Sequence, residues 1–237
     1  MGSFSRTVFG RDRLPERCIV FAGAYFPGRF RLARRLFDKH SRVEGMWLRY
    51  SFAEVNGRRF LLLFNVYGAA MMLEALQLLN DGGTKSVFFV GSAGAEGLGV
   101  GTIVFPTQVI DRAGVVQVDT KGDEVVAPPE SESELVEKAL IQKGWGFTKA
   151  KVVSVPAVMH GIDHITDFVR MGGAAEVHEM ELSTFYHFAK KIGLRAYGLV
   201  YVSDNQKHSI ISGGKNLLSA RREAQLRITQ VAQVVLS

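Results

Sequence analysis

Short apolar segments alternate along the chain with segments of helical periodicity. The apolar runs have the length of buried strands, and they predict strands at residues 18–24, 46–54, 58–66, 86–90, 101–110, 151–155 and 194–203. Apolar residues at helical spacing predict helices at residues 29–39, 68–79, 134–143, 181–191 and 214–235. Strands that alternate with helices favour an α/β fold, with a largely parallel sheet that helices cover on both faces.

Three local features refine this prediction. The Asn56-Gly57 pair is typical of a hairpin turn, so the flanking strands are antiparallel and the sheet is mixed. Pro106 lies within a predicted strand, which indicates an edge or a bend. Residues 117–133 are polar and acidic, and we interpret them as a surface loop inside one domain. The prediction is a single domain over residues 1–237, with residues 1–17 as a peripheral N-terminal extension.

The composition is that of an ordinary globular protein, with 47% hydrophobic and 22% charged residues. No apolar run approaches the roughly 18 residues that a membrane span needs, so no membrane association is expected. A single cysteine, Cys18, cannot form an internal disulfide, which favours the cytoplasm. The net charge of +6 is scattered, and its densest cluster, at residues 29–42, is typical of a solvated helix face. Without a nucleic-acid-binding motif, nucleic acid is not an expected partner.

A glycine-rich run at residues 90–101 follows a predicted buried strand. Glycines such as Gly91 and Gly94 let backbone N–H groups approach an anion closely, and Ser92 adds a hydroxyl. The run matches neither the dinucleotide-binding fingerprint nor a P-loop. It predicts either an anion-binding turn or a tight turn packed under the sheet.

Three charged side chains stand at predicted strand or helix ends. Glu181 opens a helix, where it could accept hydrogen bonds from both hydroxyls of a ribose or cap the helix. Asp204 follows a buried strand, where it could protonate a heteroaromatic leaving group or start a turn. Arg29 follows the first strand, where it could hold phosphate or be an ordinary surface arginine. The six histidines show no metal-binding spacing, and no metal site is predicted.

The order of these features resembles that of the nucleoside phosphorylase and nucleosidase superfamily. Pro27-Gly28-Arg29 follows the first strand, Val-Gly-Ser-Ala-Gly occupies residues 90–94, and Glu179-Met180-Glu181 is followed by Val202-Ser203-Asp204. This superfamily comprises purine nucleoside phosphorylases, uridine phosphorylases and adenosylhomocysteine-type nucleosidases. The resemblance covers about residues 18–235. It implies one α/β domain with a twisted, partly barrel-like mixed sheet flanked by helices, and a homo-oligomer, either a dimer or a hexamer.

The resemblance also implies a role for each candidate residue. Asp204 corresponds to the catalytic aspartate that assists departure of a purine base, and Met180 and Glu181 correspond to the ribose-binding pair. Val158 and Met159 occupy the region where relatives place a base-stacking phenylalanine, so they are expected in the base pocket. The site for phosphate or for the attacking water corresponds to Arg29, Gly91, Ser92 and Gly94.

Several positions depart from the family pattern. Tyr25-Phe26 replaces the Gly-Asp that precedes proline in the phosphate motif. Phe89 stands where phosphorylases carry a second phosphate-binding arginine, and losing such an anchor weakens anion binding by several kcal/mol, since hydrogen bonds to charged groups contribute roughly 1.5–3 kcal/mol each. Residues 24–30 also contain no counterpart of the catalytic glutamate of nucleosidases.

Three functions stay open on these grounds. The leading one is cleavage of a purine-type nucleoside by phosphorolysis, with inorganic phosphate as co-substrate and no other cofactor. The second is hydrolysis by a nucleosidase of the methylthioadenosine or adenosylhomocysteine type. The third is a catalytically weak nucleoside-binding or sensor protein.

Overall fold

The computed structural model describes residues 4–23, 31, 33–121, 125–157, 177–205, 207–208 and 214–237. The strands in those residues are β1 (Arg17–Ala22), β2 (Lys39–His40), β3 (Arg49–Val55), β4 (Arg58–Val66), β5 (Ser86–Ala95), β6 (Ile103–Asp111), β7 (Val125–Val126), β8 (Thr148–Ser154), β9 (Val177–Glu179) and β10 (Arg195–Asn205). The helices are α1 (Phe4–Phe9), α2 (Ala69–Asp81), α3 (Val115–Thr120), α4 (Glu130–Gln142), α5 (Leu182–Lys191) and α6 (Lys215–Val235). The predicted helix at residues 29–39 lies partly outside the described residues.

The strands form one mixed sheet, part of which closes into a ring. β5 pairs in parallel with β10, and the ring continues through β6, β8 and β9 back to β5. β5 also pairs with β1, from which β4, β3 and β2 continue as an open extension. This arrangement confirms the prediction of a partly barrel-like mixed sheet.

Two of the local predictions are confirmed in the sheet. β3 and β4 pair antiparallel across Asn56 and Gly57, whose φ angles of 50° and 72° are those of a tight hairpin turn. In the pairing of β6 with β8, the register shifts between Pro106 and Gln108, which is the bend that the proline predicts.

Helices cover both faces of the sheet, as the alternation of strands and helices predicts. Successive side chains of β5 point to opposite faces, so Phe89 joins one hydrophobic cluster and Phe88 the other. The first cluster includes Met72 of α2 and Phe185 of α5, and the second includes Ile228 of α6. All five side chains are fully buried, and each such burial stabilises the fold by roughly 1.5–3 kcal/mol.

Two segments differ from the prediction. β5 continues through Gly91 to Ala95, where the glycine-rich pattern predicts a turn, because β10 pairs along its whole length and β9 pairs with its last two residues. Cross-strand pairing outweighs the low strand propensity of glycine there. Residues 117–133 are not one loop: they contain most of α3, all of β7 and the start of α4. Apolar packing explains this, since Val116 is buried and Val126 packs against the first cluster.

The segment before β1 packs onto the sheet. Phe9 and Leu14 are buried in the first cluster, and the backbone N–H of Ser5 donates to the Asp81 carboxylate at 2.9 Å. Cys18 is fully buried in β1, as its apolar surroundings in the sequence predict. Within the described part of the chain, no helix is long and apolar enough to cross a membrane.

Candidate functional site

The carboxyl ends of several strands meet at one edge of the sheet. β1, β4, β5 and β10 run parallel to one another, so their last residues lie side by side. The N–H of Gly23, just after β1, donates to the carbonyl of Val66 at the end of β4 over 2.7 Å. In open α/β sheets this is the edge that binds ligands. We call the group formed by Gly68, Ser92, Gly94, His178, Met180, Glu181 and Asp204 the strand-end site.

Gly94 brings Asp204 and His178 together. It pairs with Asp204 of β10 on one side and with His178 of β9 on the other. A Cβ atom on Gly94 would lie 2.2 Å from Nε2 of His178 and 3.1 Å from Oδ2 of Asp204. The missing side chain therefore makes room for an imidazole beside a carboxylate, and both groups converge over the same backbone position.

The Asp204 carboxylate is held by its neighbours in β10. The register with β5 shifts between Val202 and Asp204, so the strand bulges where the aspartate leaves it. The Ser203 hydroxyl donates to Oδ1 of Asp204 at 2.5 Å, and the Arg221 guanidinium donates to the Ser203 carbonyl at 2.6 Å. Asp204 is half-buried, so its outer oxygen can still meet a ligand.

Met180 and Glu181 lie against the end of β4. The N–H of Gly68 donates to Oε1 of Glu181 at 2.6 Å, and Cε of Met180 lies 3.7 Å from the position of a Cβ on Gly68. Glu181 begins α5 as its N-cap residue, but its side chain makes no capping hydrogen bond. Its carboxyl group contacts Gly68 just after β4 instead, so Glu181 does not cap the helix, and ribose binding stays a prediction.

Glu179 is the glutamate that caps the start of α5. Its Oε2 accepts hydrogen bonds from the backbone N–H groups of Glu181 and Leu182 at 2.6 and 2.8 Å. The Ser154 hydroxyl donates to Oε1, and the N–H of Ser183 donates to Oγ of Ser154 at 2.9 Å. This fully buried network fixes the backbone from which Glu181 projects.

Burial raises the pKa of both glutamates. The pKa of Glu179 rises to about 7 because burial outweighs the hydrogen bonds that favour its charged form. The pKa of Glu181 rises to about 8 because of burial first and the charge of Glu179 second. Burial lowers the pKa of His178, against the charges of Asp204 and Glu96 that raise it. Near neutral pH the glutamate pair thus holds a proton and the imidazole is neutral.

Ser92 lies on β5 beside the first strand. A Cβ atom on Gly23 would lie 3.9 Å from the Ser92 hydroxyl. Gly23 is the last described residue before residues 24–30, which contain Arg29. The hydroxyl therefore faces the point where the chain enters the segment that carries the predicted phosphate-binding arginine.

Phe89 and Gly91 belong to the core. The Phe89 ring is fully buried, and its centroid lies 5.3 Å from that of Phe185. A Cβ atom on Gly91 would lie 2.3 Å from the Phe89 ring, so glycine at position 91 leaves the space that the ring fills. The position of the second phosphate arginine in relatives is thus filled here by an apolar side chain that points into the core.

Phe89→Arg is expected to destabilise the protein by about 3 kcal/mol or more rather than to create a phosphate anchor, because it buries an unpaired charge. Thermal melting measures this loss, with Phe4→Arg as the control, since the Phe4 side chain is 75% exposed. A variant that melts like the parent and binds phosphate more tightly would contradict the buried placement.

Not every predicted site residue can be located. Arg29, Val158 and Met159 lie outside the described residues. Ser92, Gly94, Met180, Glu181 and Asp204 belong to the strand-end site, whereas Gly91 lies in the middle of β5 against the Phe89 ring. The sequence assigned no role to His178 of the strand-end site, nor to Glu179 and Ser154, which fix the backbone that carries Glu181. A search of the described residues for groups of metal-binding side chains finds none.

Comparison with known proteins identifies the fold. A purine nucleoside phosphorylase from Toxoplasma gondii, in complex with immucillin-H, superposes with a TM-score of 0.80 at 14% identity, over 95% of this chain and 92% of that one. A uridine phosphorylase from Vibrio fischeri superposes with a TM-score of 0.79 at 17% identity, over 92% and 90% of the two chains. A methylthioadenosine/adenosylhomocysteine nucleosidase from Neisseria meningitidis gives 0.75 at 18% identity, over 93% and 98%.

The sequence itself identifies the family. A search of curated proteins finds no match. The sequence model of the phosphorylase superfamily, however, matches residues 26–237, which is most of the chain and includes every predicted site residue. The chain therefore belongs to the phosphorylase superfamily, as the order of its motifs predicts.

Proposed function

We propose that this protein cleaves the N-glycosidic bond of a purine-type nucleoside by phosphorolysis. The observation that carries the proposal is the placement of Asp204 in β10 and of Glu181 just after β9, the two strands that flank the end of β5. An aspartate beside His178 suits a purine base, and a buried glutamate beside Gly68 suits the two ribose hydroxyls. The structural relatives, nucleoside phosphorylases and nucleosidases, support a function at this kind of bond.

In the proposed reaction, phosphate attacks the anomeric carbon of the ribose while the bond from that carbon to the purine nitrogen breaks. Asp204 protonates or hydrogen-bonds the departing base, which takes up the electron pair of the broken bond. Glu181 accepts hydrogen bonds from the ribose hydroxyls, with Met180 packed against the sugar. Arg29 and Ser92 position phosphate, so positioning and electrostatics supply most of the rate enhancement.

Hydrolysis is the second candidate, and one observation favours it. Phe89 is buried in the core, so β5 offers no cation to a phosphate ion at that position. Water as nucleophile needs no such anchor. The third candidate, a catalytically weak nucleoside-binding protein, would keep the ribose and base contacts without a competent nucleophile site. Assembly as a dimer or hexamer and residence in the cytoplasm stay predictions from the sequence.

A panel of nucleosides incubated with and without phosphate is expected to release base only when phosphate is present, with sugar phosphate as the second product. Arg29→Ala should raise the phosphate concentration needed for half-maximal rate by roughly tenfold or more, because the anion loses a charged hydrogen-bond partner. The requirement for nucleoside should change less. Chromatography of base and sugar products measures both, and Arg35→Ala, at an exposed position nearby, is the control.

The products decide between the three functions. If base release is equal in phosphate-free buffer and free sugar accumulates, phosphorolysis is wrong and hydrolysis replaces it. If no nucleoside is cleaved but one raises the melting temperature, the binding-protein function replaces both.

A further inference from the structure

A large basic cleft lies at the opposite edge of the sheet from the strand-end site. It has a volume of about 900 Å³ and is built around the first residues of β1 and β4, the residue before β5, and the end of β3. β5 has ten residues, and strands rise about 3.3 Å per residue, so the cleft lies about 30 Å from the strand-end site. It cannot serve the same bound phosphate.

Cations dominate the walls of this cleft. Seven lysine and arginine side chains line it, against two glutamates. Lys39 forms an ion pair with Glu54 at 3.1 Å, but the structure shows no ion pair within the described residues for Arg13, Arg58, Arg59 or Lys85, all of them exposed. Cations crowded together without counter-charges repel one another, so a bound anion would stabilise the arrangement.

Two of the arginines are held in place by contacts with the fold. The Arg11 guanidinium lies over the Phe52 ring, 4.1 Å from its centroid, and Nε of Arg17 donates to the Leu236 carbonyl at 2.6 Å. Within the described part of the chain, the structure shows no partner for the other N–H groups of these two guanidiniums. Fixed donors lose less conformational entropy on binding, which favours a defined ligand over diffuse attraction.

The same features indicate the chemistry of the ligand. Guanidinium groups match phosphate oxygens in pairs, and several cations along one cleft match several consecutive phosphates better than one. The volume falls within the range of small-molecule sites, roughly 300–1,000 Å³. Arg11 already covers one face of the Phe52 ring, so that face cannot stack on a nucleobase, as binding of single-stranded nucleic acid requires.

We propose that this cleft binds a linear polyphosphate, a ligand with three or more consecutive phosphate groups, free or as the phosphate chain of a nucleotide. Recognition rests on the phosphate chain, so tripolyphosphate and a nucleoside triphosphate bind with similar affinity. Orthophosphate, which spans only one or two cations, binds the cleft at least tenfold more weakly, and Arg29→Ala separates this binding from that at the proposed strand-end phosphate site.

Titration calorimetry on the full chain tests the proposal, with tripolyphosphate, a nucleoside triphosphate and orthophosphate as ligands. The double variant Arg13→Ser and Arg58→Ser should weaken tripolyphosphate binding roughly tenfold or more, because two charged contacts are lost. The control is Arg222→Ser with Lys190→Ser, which removes the same charge at exposed positions outside the cleft. Arg29→Ala and a saturating nucleoside should leave tripolyphosphate binding unchanged, while melting curves confirm that all variants fold.

Each of the following results would overturn the proposal. The cleft variant could bind tripolyphosphate like the parent, or the control could weaken binding equally, which would indicate attraction to net charge alone. Loss of binding in Arg29→Ala would assign the ligand to the strand-end site. Tighter binding of a single-stranded oligonucleotide than of tripolyphosphate at the same salt concentration would make the cleft a nucleic-acid surface instead. If the triphosphate binds much more tightly than tripolyphosphate, recognition includes the base, and recognition by phosphate alone is wrong.

Discussion

Replacement of Asp204 by asparagine is expected to slow purine nucleoside cleavage by roughly one to three orders of magnitude while the fold stays intact. The asparagine keeps an Oδ1 atom that can accept the hydrogen bond from Ser203, now 2.5 Å long. Its amide nitrogen would stand where Oδ2 lies close to His178, and an amide can donate to a neutral imidazole. The substitution thus replaces a group that can donate a proton or carry a negative charge by a neutral amide, with little change in packing.

The rate of base release by Asp204→Asn, set beside its melting temperature, separates chemistry from folding. Asp12→Asn is the matched control, because Asp12 is exposed and its ion pair among the described residues is with Arg6 at the surface. Nucleosides with a better leaving group should lose less rate, since they need less help from an acid. An unchanged rate on every cleaved purine nucleoside would remove Asp204 from the mechanism.

The hydrophobic pattern predicts most of the fold because burial dominates its strands. Val87, Phe88, Phe89 and Val90 form a continuous apolar run, as expected for a strand covered on both faces. The pattern fails at Gly91–Ala95, where the pairing of β5 with β10 and β9 holds glycines in a strand. Such pairing involves residues more than eighty positions away in sequence, so local propensity cannot predict it.

Ring closure and short strands also cannot be predicted from the local hydrophobic pattern of the sequence. β9 has three residues, too few for an alternation to emerge, and it is recognisable only through its partners β5 and β8. This strand is nevertheless central to the site, because it carries His178 and Glu179 to the ends of the longer strands. The sequence shows the Glu-Met-Glu motif, but only the structure shows that Glu179 caps α5 whereas Glu181 accepts a hydrogen bond from Gly68.

A site residue can be predicted from the sequence where its type differs from that of its neighbours. Asp204 and Glu181 are charged residues next to apolar strands, and this contrast is visible in the sequence. Ser154 is an ordinary serine in sequence, and its role appears only when its hydroxyl is seen to link Glu179 with α5. Gly94 is the converse case: the sequence predicts a turn there, whereas in the structure Gly94 lies in β5 and leaves room for His178 and Asp204. Its part in the phosphate or water site stays a prediction.

Glu181→Gln is expected to weaken binding of ribonucleosides by roughly ten- to a hundredfold. A carboxylate accepts hydrogen bonds from both ribose hydroxyls, whereas an amide has one accepting oxygen and an NH2 group that only donates. The glutamine keeps an oxygen for the N–H of Gly68, so the contact with β4 survives. Nucleoside affinity measured by inhibition or calorimetry checks the loss. A nucleoside without the 2′-hydroxyl should be affected less, and Glu74→Gln, at an exposed position of α2, should bind like the parent.

The pH dependence of the same variant provides an independent readout. The folded pKa of Glu181 is raised from 4.5 to about 8, so the folded protein keeps a proton that the unfolded chain releases. The bound proton therefore stabilises the folded protein. This stabilisation is complete below pH 4.5, falls as the pH rises, and is lost above about pH 8. Ribose hydroxyls donate best to the ionised form, so nucleoside affinity should rise over the same interval as stability falls. Glu181→Gln should flatten the affinity curve and remove only the Glu181 part of the stability curve, because the pKa of Glu179 is raised as well. An affinity that keeps its full pH dependence in the variant would assign the titration to another group and leave Glu181 outside the ribose site.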